Sequence, residues 1–257
     1  MEVTIIFPVL NERLRLEKGI DRTVEYIRQQ MKIPCRLMII DNGSTDETPQ
    51  IAEKLCEKYQ EVSYVRITKR GVGAAFRKGI ALNQSEIVGY MDIDLSTDIK
   101  HLGQVIHLFE VCPELEYING TRFSKDSNTR GRKWYRRITS QGLLWLLQAV
   151  FRMKCTDAVC GFTFVRAKTA RRLASACSKE NGWFYTIEFL LRAERMGFRI
   201  LDLPVDWQED YDTTVRIWKT VKNYLIQIIK LRKRFWEEDR LAADKGTKRK
   251  DGKKQGF

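Results

Sequence analysis

The stretch IVGYMDIDLSTD, Ile87–Asp98, decides how this chain is read. It runs apolar from Ile87 to Met91 and then breaks into Asp92-Ile93-Asp94. An apolar run of that length between polar flanks reads as a buried strand. Two acids at i and i+2 beyond a strand end can aim oxygens at one hard cation. Surface turns also produce Asp-x-Asp, so the motif alone is weak. Its weight comes from what the rest of the chain sets beside it.

Working back toward the N-terminus, Val3–Phe7 is a short apolar run closed by Pro8 and followed by Asn11-Glu12. Leu16, Ile20, Val24 and Ile27 recur at helical spacing. Leu37–Ile40 is a second buried strand, ending in Asp41-Asn42-Gly43-Ser44. Thr48-Pro49 marks a helix start, and Ile51, Ala52, Leu55 and Tyr59 give that helix its apolar face. Val62–Ile67 is a third strand, and Arg70-Gly71-Val72-Gly73 opens a third helix before the strand Ile87–Met91. Strands alternating with helices predict βαβ units and a mostly parallel sheet. Ligands of such sheets bind beyond the carboxyl ends of the strands, where strand order reverses. Polar clusters stand at three such ends: Asn11-Glu12, Asp41 and Asp92-Ile93-Asp94. The Gly71-x-Gly73 pair follows the third strand and lacks the third glycine of a dinucleotide fingerprint, which argues against a nicotinamide site.

The chain has 257 residues and a net charge of +13, which admits nucleic acid, an anionic membrane or an anionic substrate as partner. Six cysteines show no CxxC pair and there are two histidines, His101 and His107, so zinc is disfavoured and reduced thiols are expected. No signal peptide and no apolar run of about 18 residues are read, so a cytoplasmic chain, peripheral at the membrane, is expected.

The ordered set FPVLNE (Phe7–Glu12), IIDNGSTDET (Ile39–Thr48), RGVGAAFRKG (Arg70–Gly79) and YMDIDLSTD (Tyr90–Asp98) resembles family 2 glycosyltransferases of the GT-A fold. NGTRF (Asn119–Phe123), DAVCGF (Asp157–Phe162) and ERMGFRILDLPVDW (Glu194–Trp207) extend the resemblance to polyprenyl-phosphate mannosyl- and glucosyltransferases, over roughly residues 2–220. The resemblance implies an α/β GT-A fold with a Rossmann-like central sheet flanked by helices. It implies a nucleotide-sugar donor, carrying UDP or GDP, at Pro8, Asn11, Glu12, Asp41, Arg70, Asp92 and Ile93. It also implies Mg²⁺ or Mn²⁺ at Asp92, Asp94 and Ser96, and an acceptor phosphate at Arg122, Arg137, Ser140 and Arg216. Thr213, Thr214 and Arg216 resemble a loop that closes over both substrates, and Arg77 is a further basic position near the donor. Two departures stand out. Leu10 occupies a place where an aromatic residue is common, and Ser96-Thr97-Asp98 replaces the Gln-His-Pro of some members.

The second half carries its own signals. A basic stretch, Arg122 to Arg137 with Lys125, Arg130, Arg132, Lys133 and Arg136, precedes the apolar, Trp-bearing segment Leu143–Phe151. Cations beside apolar surface suit a lipid phosphate, and a plain core helix stays open as the alternative. Trp218, Val221, Leu225, Ile228, Ile229 and Trp236 fall on one helical face with Lys219, Lys222, Lys230, Lys233 and Arg234 off it. That pattern reads either as an interfacial anchor or as a helix packing back on the domain. The expected organisation is a glycosyltransferase domain over 1–217, a basic amphipathic helix over 218–238 and a disordered basic tail over 239–257. An inverting transfer to lipid phosphate needs little base. A sugar or protein hydroxyl acceptor would need one, with Glu188 as the candidate and Asp94 also assigned a catalytic part. Asp157 and the Glu209-Asp210 pair are further acids near the motifs. A basic nucleic-acid module and a non-catalytic lectin-like relative are the readings from other classes. An anionic membrane is the expected surface partner, nucleic acid is not, and a homo-oligomer or membrane-protein partner is left open.

Overall fold

The computed structural model describes residues 1–131, 133–209 and 217–254. Arg132, Asp210, Thr213, Thr214 and Arg216 lie outside the described residues, as do the side chains of Trp218 and Lys219. In chain order the elements are β1 (Val3–Val9), α1 (Leu16–Gln30), β2 (Cys35–Asp41), α2 (Thr48–Lys58), β3 (Val62–Arg66), α3 (Val72–Leu82), β4 (Ile87–Met91), α4 (His101–Val111) and β5 (Tyr117–Thr121). They continue with β6 (Asn128–Arg130), α5 (Trp134–Phe151), β7 (Phe162–Arg166), α6 (Ala167–Ala176), α7 (Phe184–Arg195), β8 (Ile200–Pro204), β9 (Asp206–Gln208) and α8 (Ile217–Lys254).

Seven strands form one sheet in the order β3-β2-β1-β4-β7-β5-β8, parallel except for β7, which runs antiparallel to β4 and β5. Strand order reverses between β1 and β4, so a crevice is expected beyond their carboxyl ends. Asn11-Glu12 and Asp92-Ile93-Asp94 follow those two strands. Side chains alternate between two cores, as the pleat requires. Val3, Ile5, Phe7, Ile87 and Met91 face α1, α2 and α4, while Ile6, Val88 and Tyr90 face α3, α6 and α7. The β4 run is buried along its whole length because both faces are covered.

Gly71 joins the two halves of the chain. Its φ is +122°, and a Cβ there would meet the Asn181 carbonyl oxygen at 2.0 Å. Its backbone N–H donates to Asn42 Oδ1 at 2.9 Å. Arg77, one turn into α3, donates to the Glu180 carbonyl at 2.9 Å and to Asn181 Oδ1 at 2.7 Å. Arg77 therefore fixes the loop before α7.

The C-terminal helix packs back on the domain along one stripe and leaves a second apolar stripe exposed. Ile228, Leu231 and Phe235 are buried against the domain, each worth roughly 1.5–3 kcal/mol. Leu225, Ile229 and Trp236 stay exposed on the neighbouring stripe. The helix continues to Lys254, through residues expected to form a disordered tail. An ion network holds it to α7. Glu188, fully buried, accepts from Arg192 Nε at 3.0 Å and from Arg234 Nη1 at 3.3 Å, and Arg192 Nη2 reaches Glu238 at 3.0 Å. Breaking one member of a buried network leaves charge uncompensated. Arg192→Ala is expected to cost about 3 kcal/mol, read as a lower urea midpoint at unchanged slope.

Candidate active site

Asp92 is the first residue beyond β4. Its N–H donates to the Gly161 carbonyl at 3.2 Å. A Cβ on Gly161 would fall 1.8 Å from Asp92 Oδ2, so only glycine lets the segment entering β7 lie against this carboxylate. Asp94 Oδ1 accepts the Ser96 N–H at 2.9 Å, and Leu95 sits between them at φ +53°. The turn is then stitched to β9: Gln208 N–H donates to Ser96 O at 2.8 Å, Asp98 N–H to Asp206 O at 2.9 Å, and Asp206 N–H to His101 Nε2 at 2.8 Å. Ile93 is buried in the core, and Gly19 of α1 packs on its carbonyl.

Burial and then the neighbouring Asp94 charge push the Asp92 carboxyl up to about 7, against the opposing pull of Arg122. Glu12 adds to the rise and Arg15 opposes it. Two crowded carboxylates, with no cation side chain bonded to either among the interactions described, suit a divalent cation. No group of three His, Cys, Asp or Glu side chains among the described residues forms a cage for one. One or two carboxylates plus phosphate oxygens and water is how Mg²⁺ is commonly held, so the donor set fits a metal carried in with a diphosphate.

The expected donor residues cluster at the ends of β1 and β2. Pro8 pairs with Ile40 inside the sheet. Asn11, at φ +57°, donates from its N–H to Ser44 Oγ at 2.9 Å, and its Oδ1 accepts from Thr45 N–H at 2.8 Å. Glu12 N–H donates to Thr48 Oγ1, and Glu12 Oε2 holds Arg15 Nε at 2.7 Å. Asp41 is fully buried and shapes its own turn. Its Oδ1 accepts from Gly43 and Ser44 N–H at 3.1 and 2.7 Å, and its Oδ2 accepts from the Tyr64 hydroxyl at 3.0 Å. Arg70 is exposed, with its side chain 3.5 Å from the position of a Cβ on Gly43.

On the other side of Asp92, Arg122 makes a two-pronged pair with buried Asp157: Nε to Oδ2 at 2.7 Å and Nη2 to Oδ1 at 3.0 Å. Its guanidinium also lies over Trp207, 5.3 Å from the ring centre. Arg122 opens onto a cavity of about 440 Å³ between α5 and α8. Arg136 and Ser140 line it at the polar end, and Leu143, Leu146, Val221 and Leu225 form apolar walls. Arg137, the residue expected there, is exposed on the outer side of α5, and Arg136 takes its place. Arg136 and Ser140 are i and i+4, so helical spacing held that signal. Glu188 does not line the cavity. Its oxygens are taken by Arg192, Arg234 and the N–H and hydroxyl of Ser178, so the structure builds it into the α7–α8 junction. Glu209, which lines the cavity with Arg136, was noticed in the sequence only as a nearby acid.

A seven-stranded sheet of this order with acids at the β4 end is the GT-A glycosyltransferase fold. Solved structures agree. Glucosyl-3-phosphoglycerate synthase from Mycobacterium tuberculosis with uridine diphosphate superposes with a TM-score of 0.67 at 15% identity, covering 90% of this chain and 80% of that one. The same enzyme with Mn²⁺, uridine diphosphate and phosphoglyceric acid gives 0.66, covering 90% and 76%. The glycosyl transferase family 2 model matches residues 4–173, and the chain belongs to that family. Among characterised relatives, glycosyltransferase AglD of Haloferax volcanii is 27% identical over 90% of this chain and 37% of its own length. The dolichyl-phosphate beta-glucosyltransferase of Dictyostelium discoideum is 28% identical over 80% of this chain and 66% of its own. The human enzyme of the same description is 26% identical over 81% and 68%. The chain thus spans about a third of the first of these relatives and about two thirds of the other two.

A carboxyl whose folded-state pKa is raised favours its protonated form. Between the ordinary value of 3.8 and about 7, the folded chain therefore holds a proton that the unfolded chain has lost. Metal-free protein is expected to lose stability as pH rises through that window. Asp92→Asn is expected to flatten the trend and raise the metal-free melting temperature at pH 8 above wild type, as read by calorimetry across pH 4–8.

Proposed function

We propose that this chain transfers a hexose, with inversion, from a nucleoside diphosphate sugar to a polyprenyl phosphate at a membrane surface. The cavity carries the reading. Arginines at one end and hydrocarbon walls along its length suit an anionic head with an apolar tail. Its position supports the same conclusion, because Arg122 bears on both the cavity and the electrostatics of Asp92. The relatives named dolichyl-phosphate beta-glucosyltransferase fit such an acceptor, and neighbours holding uridine diphosphate with Mn²⁺ fit a uridine donor.

In this reading Asp92 and Asp94, with Ser96 closing the turn, hold Mg²⁺ or Mn²⁺ against the donor diphosphate. When bound, the cation neutralises the departing nucleotide. Asn11, Glu12 and Asp41 set the shape of the nucleoside end, and Arg70 adds positive charge beside the donor loop. Arg122 and Arg136, with Ser140, hold the acceptor phosphate in line behind the sugar. That phosphate is already anionic, so positioning and charge do most of the work. The placement of Glu188 outside the cavity fits a reaction that does not use it as a base.

Exposed apolar residues suggest how a lipid reaches the cavity. Trp134 (74%), Trp145 (70%) and Ile229 (70%) stand exposed on α5 and α8, the two helices that flank it. Lysines such as Lys222, Lys230 and Lys233 lie on α8 among them, a pattern suited to an anionic interface. Among the described residues no helix is long and apolar enough to cross a membrane. The segment 218–238 then acts as the interfacial part of α8, appended to the transferase domain.

Uridine diphosphate hexoses with short polyprenyl phosphates are expected to give product that EDTA abolishes. Arg136→Ala is expected to raise the KM for the lipid phosphate about 30-fold or more. Turnover of a sugar hydroxyl acceptor, with the lipid phosphate untouched, would reject the proposal. Separately, the protein is expected to sediment with phosphatidylglycerol vesicles, and the double substitution Trp145→Glu, Ile229→Glu to abolish sedimentation while leaving the melting temperature within a few degrees of wild type.

A further inference from the structure

One wall of the proposed acceptor cavity comes from neither α5 nor α8. Trp183 stands just before α7, is 39% exposed, and lines the cavity together with Arg122, Arg136 and Ser140. The chain is locked on both sides of it. Before it, the Asn181 and Gly182 carbonyls accept from the N–H groups of Ala74 and Gly73, at 3.1 and 3.2 Å. Arg77 holds Glu180 and Asn181 from the same helix, α3. After it, Phe184 is buried and packs on the Tyr224 ring of α8, with ring centres 5.9 Å apart. The Trp183 carbonyl accepts from Thr186 Oγ1 at 2.9 Å. A Cβ on Gly73 would fall 2.4 Å from Tyr185 Cβ, so the starts of α3 and α7 are in direct contact. Gly71, at the head of α3, is bonded in turn to Asn42, whose Nδ2 donates to the Val9 carbonyl at the end of β1 at 2.7 Å. Trp183 therefore reaches the cavity from the donor side, on a fixed backbone, with an apolar ring left partly uncovered.

We propose that Trp183 is the platform on which the donor's hexose lies, with the indole face against the C–H face of the sugar. The inference rests on the proposed reading of Asp92 and Asp94 as the diphosphate clamp and of the cavity as the acceptor site. In that reading the hexose must bridge a diphosphate at the acids and an acceptor phosphate at Arg122 and Arg136, with its anomeric carbon between them. Trp183 shares the cavity with both arginines and is carried by the loop bonded to the donor-side helix. A pyranose turns C–H groups outward on its faces, and an aromatic ring offers them a face of negative charge. The hydroxyls at the sugar's rim stay free for polar partners. The walls suited to a lipid tail, Leu143, Leu146, Val221 and Leu225, belong to α5 and α8. A ring serving the tail alone would gain nothing from being fixed to α3. Donor recognition is thereby divided: the metal and the β1 and β2 ends take the nucleotide, and Trp183 takes the sugar.

The test measures binding of UDP-glucose, UDP and farnesyl phosphate to the full chain by calorimetry, with Mn²⁺ present for the two nucleotides. Trp183→Ala is expected to weaken UDP-glucose about tenfold or more while changing UDP and farnesyl phosphate by about twofold or less. Trp183→Phe, which keeps a ring face, is expected to bind UDP-glucose within about threefold of wild type. Trp183→Leu, which keeps apolar bulk without a face, is expected to behave like Trp183→Ala. If Trp183→Ala does not fold, the contrast between the phenylalanine and leucine variants decides. A Trp183→Ala protein that binds UDP-glucose as wild type does overturns the proposal. So does one that loses UDP and UDP-glucose equally, the mark of a displaced loop, or one that loses farnesyl phosphate alone, the mark of a tail wall. A leucine variant equal to the phenylalanine variant overturns it as well. A wild type that binds neither nucleotide rejects the donor reading and this inference with it. A wild type whose UDP-glucose affinity depends on the ring, but which transfers no sugar to polyprenyl phosphate, rejects the proposed acceptor and leaves this inference standing.

Discussion

The pairing of Arg122 with Asp157 is the constraint on which both halves of the site depend. Asp157 is fully buried and the Arg122 side chain is 7% exposed, so neither charge is solvated on its own. A buried pair of this kind adds little net stability over an apolar pair, but losing one partner is expensive. Its effect is geometric. Two parallel hydrogen bonds set the plane of the guanidinium, and the Trp207 ring covers it. Held in that plane, Arg122 lowers the proton affinity of Asp92 on one side and forms part of the cavity on the other. A lysine would keep the charge and lose the orientation.

The same segment shows why glycine is needed beside the acids. Asp157 and Gly161 belong to one short connection into β7. Asp157 fixes Arg122 and Gly161 allows the chain to lie against Asp92. Because β7 runs antiparallel between β4 and β5, its start stands beside the end of β4. An all-parallel sheet would place the start of that strand at the opposite edge. The single reversed strand thus brings a loop from the second half of the chain onto acids from the first.

Much of this was legible in the sequence, for a physical reason. Ile87–Met91 is buried on both faces, so its apolar run has sharp ends, and the acids beyond it had to emerge at the carboxyl end of a strand. Asn11, Glu12 and Asp41 were legible in the same way. The contacts of Glu188 are not legible in the sequence because they are remote: Arg234 lies 46 residues away on another helix, and no local pattern announces that contact. Arg137 is named with Ser140 by resemblance, whereas Arg136 is the arginine that lines the cavity, and a motif match does not set the phase of the helix. That phase is set by which residues face α8. Glu209 reads in the sequence only as an acid near the motifs, because its partner Arg136 is 73 residues away.

The double stripe on α8 follows from its two neighbours. A helix lying on a domain needs one apolar stripe, and Ile228, Leu231 and Phe235 supply it. Leu225, Ile229 and Trp236 form a second stripe that the domain does not cover. On α5, Trp134, Ile138 and Trp145 repeat the arrangement at spacings of four and seven. Isolated exposed apolar residues are ordinary on any protein surface, but tryptophans on both helices that enclose one cavity are a more specific pattern. The walls of that cavity and the exposed stripes lie on the same pair of helices, so a tail leaving the cavity along them would remain in contact with hydrocarbon. That continuity, more than the net charge, is what supports the proposed lipid acceptor over a nucleic-acid partner, whose phosphate contacts would extend away from the apolar residues.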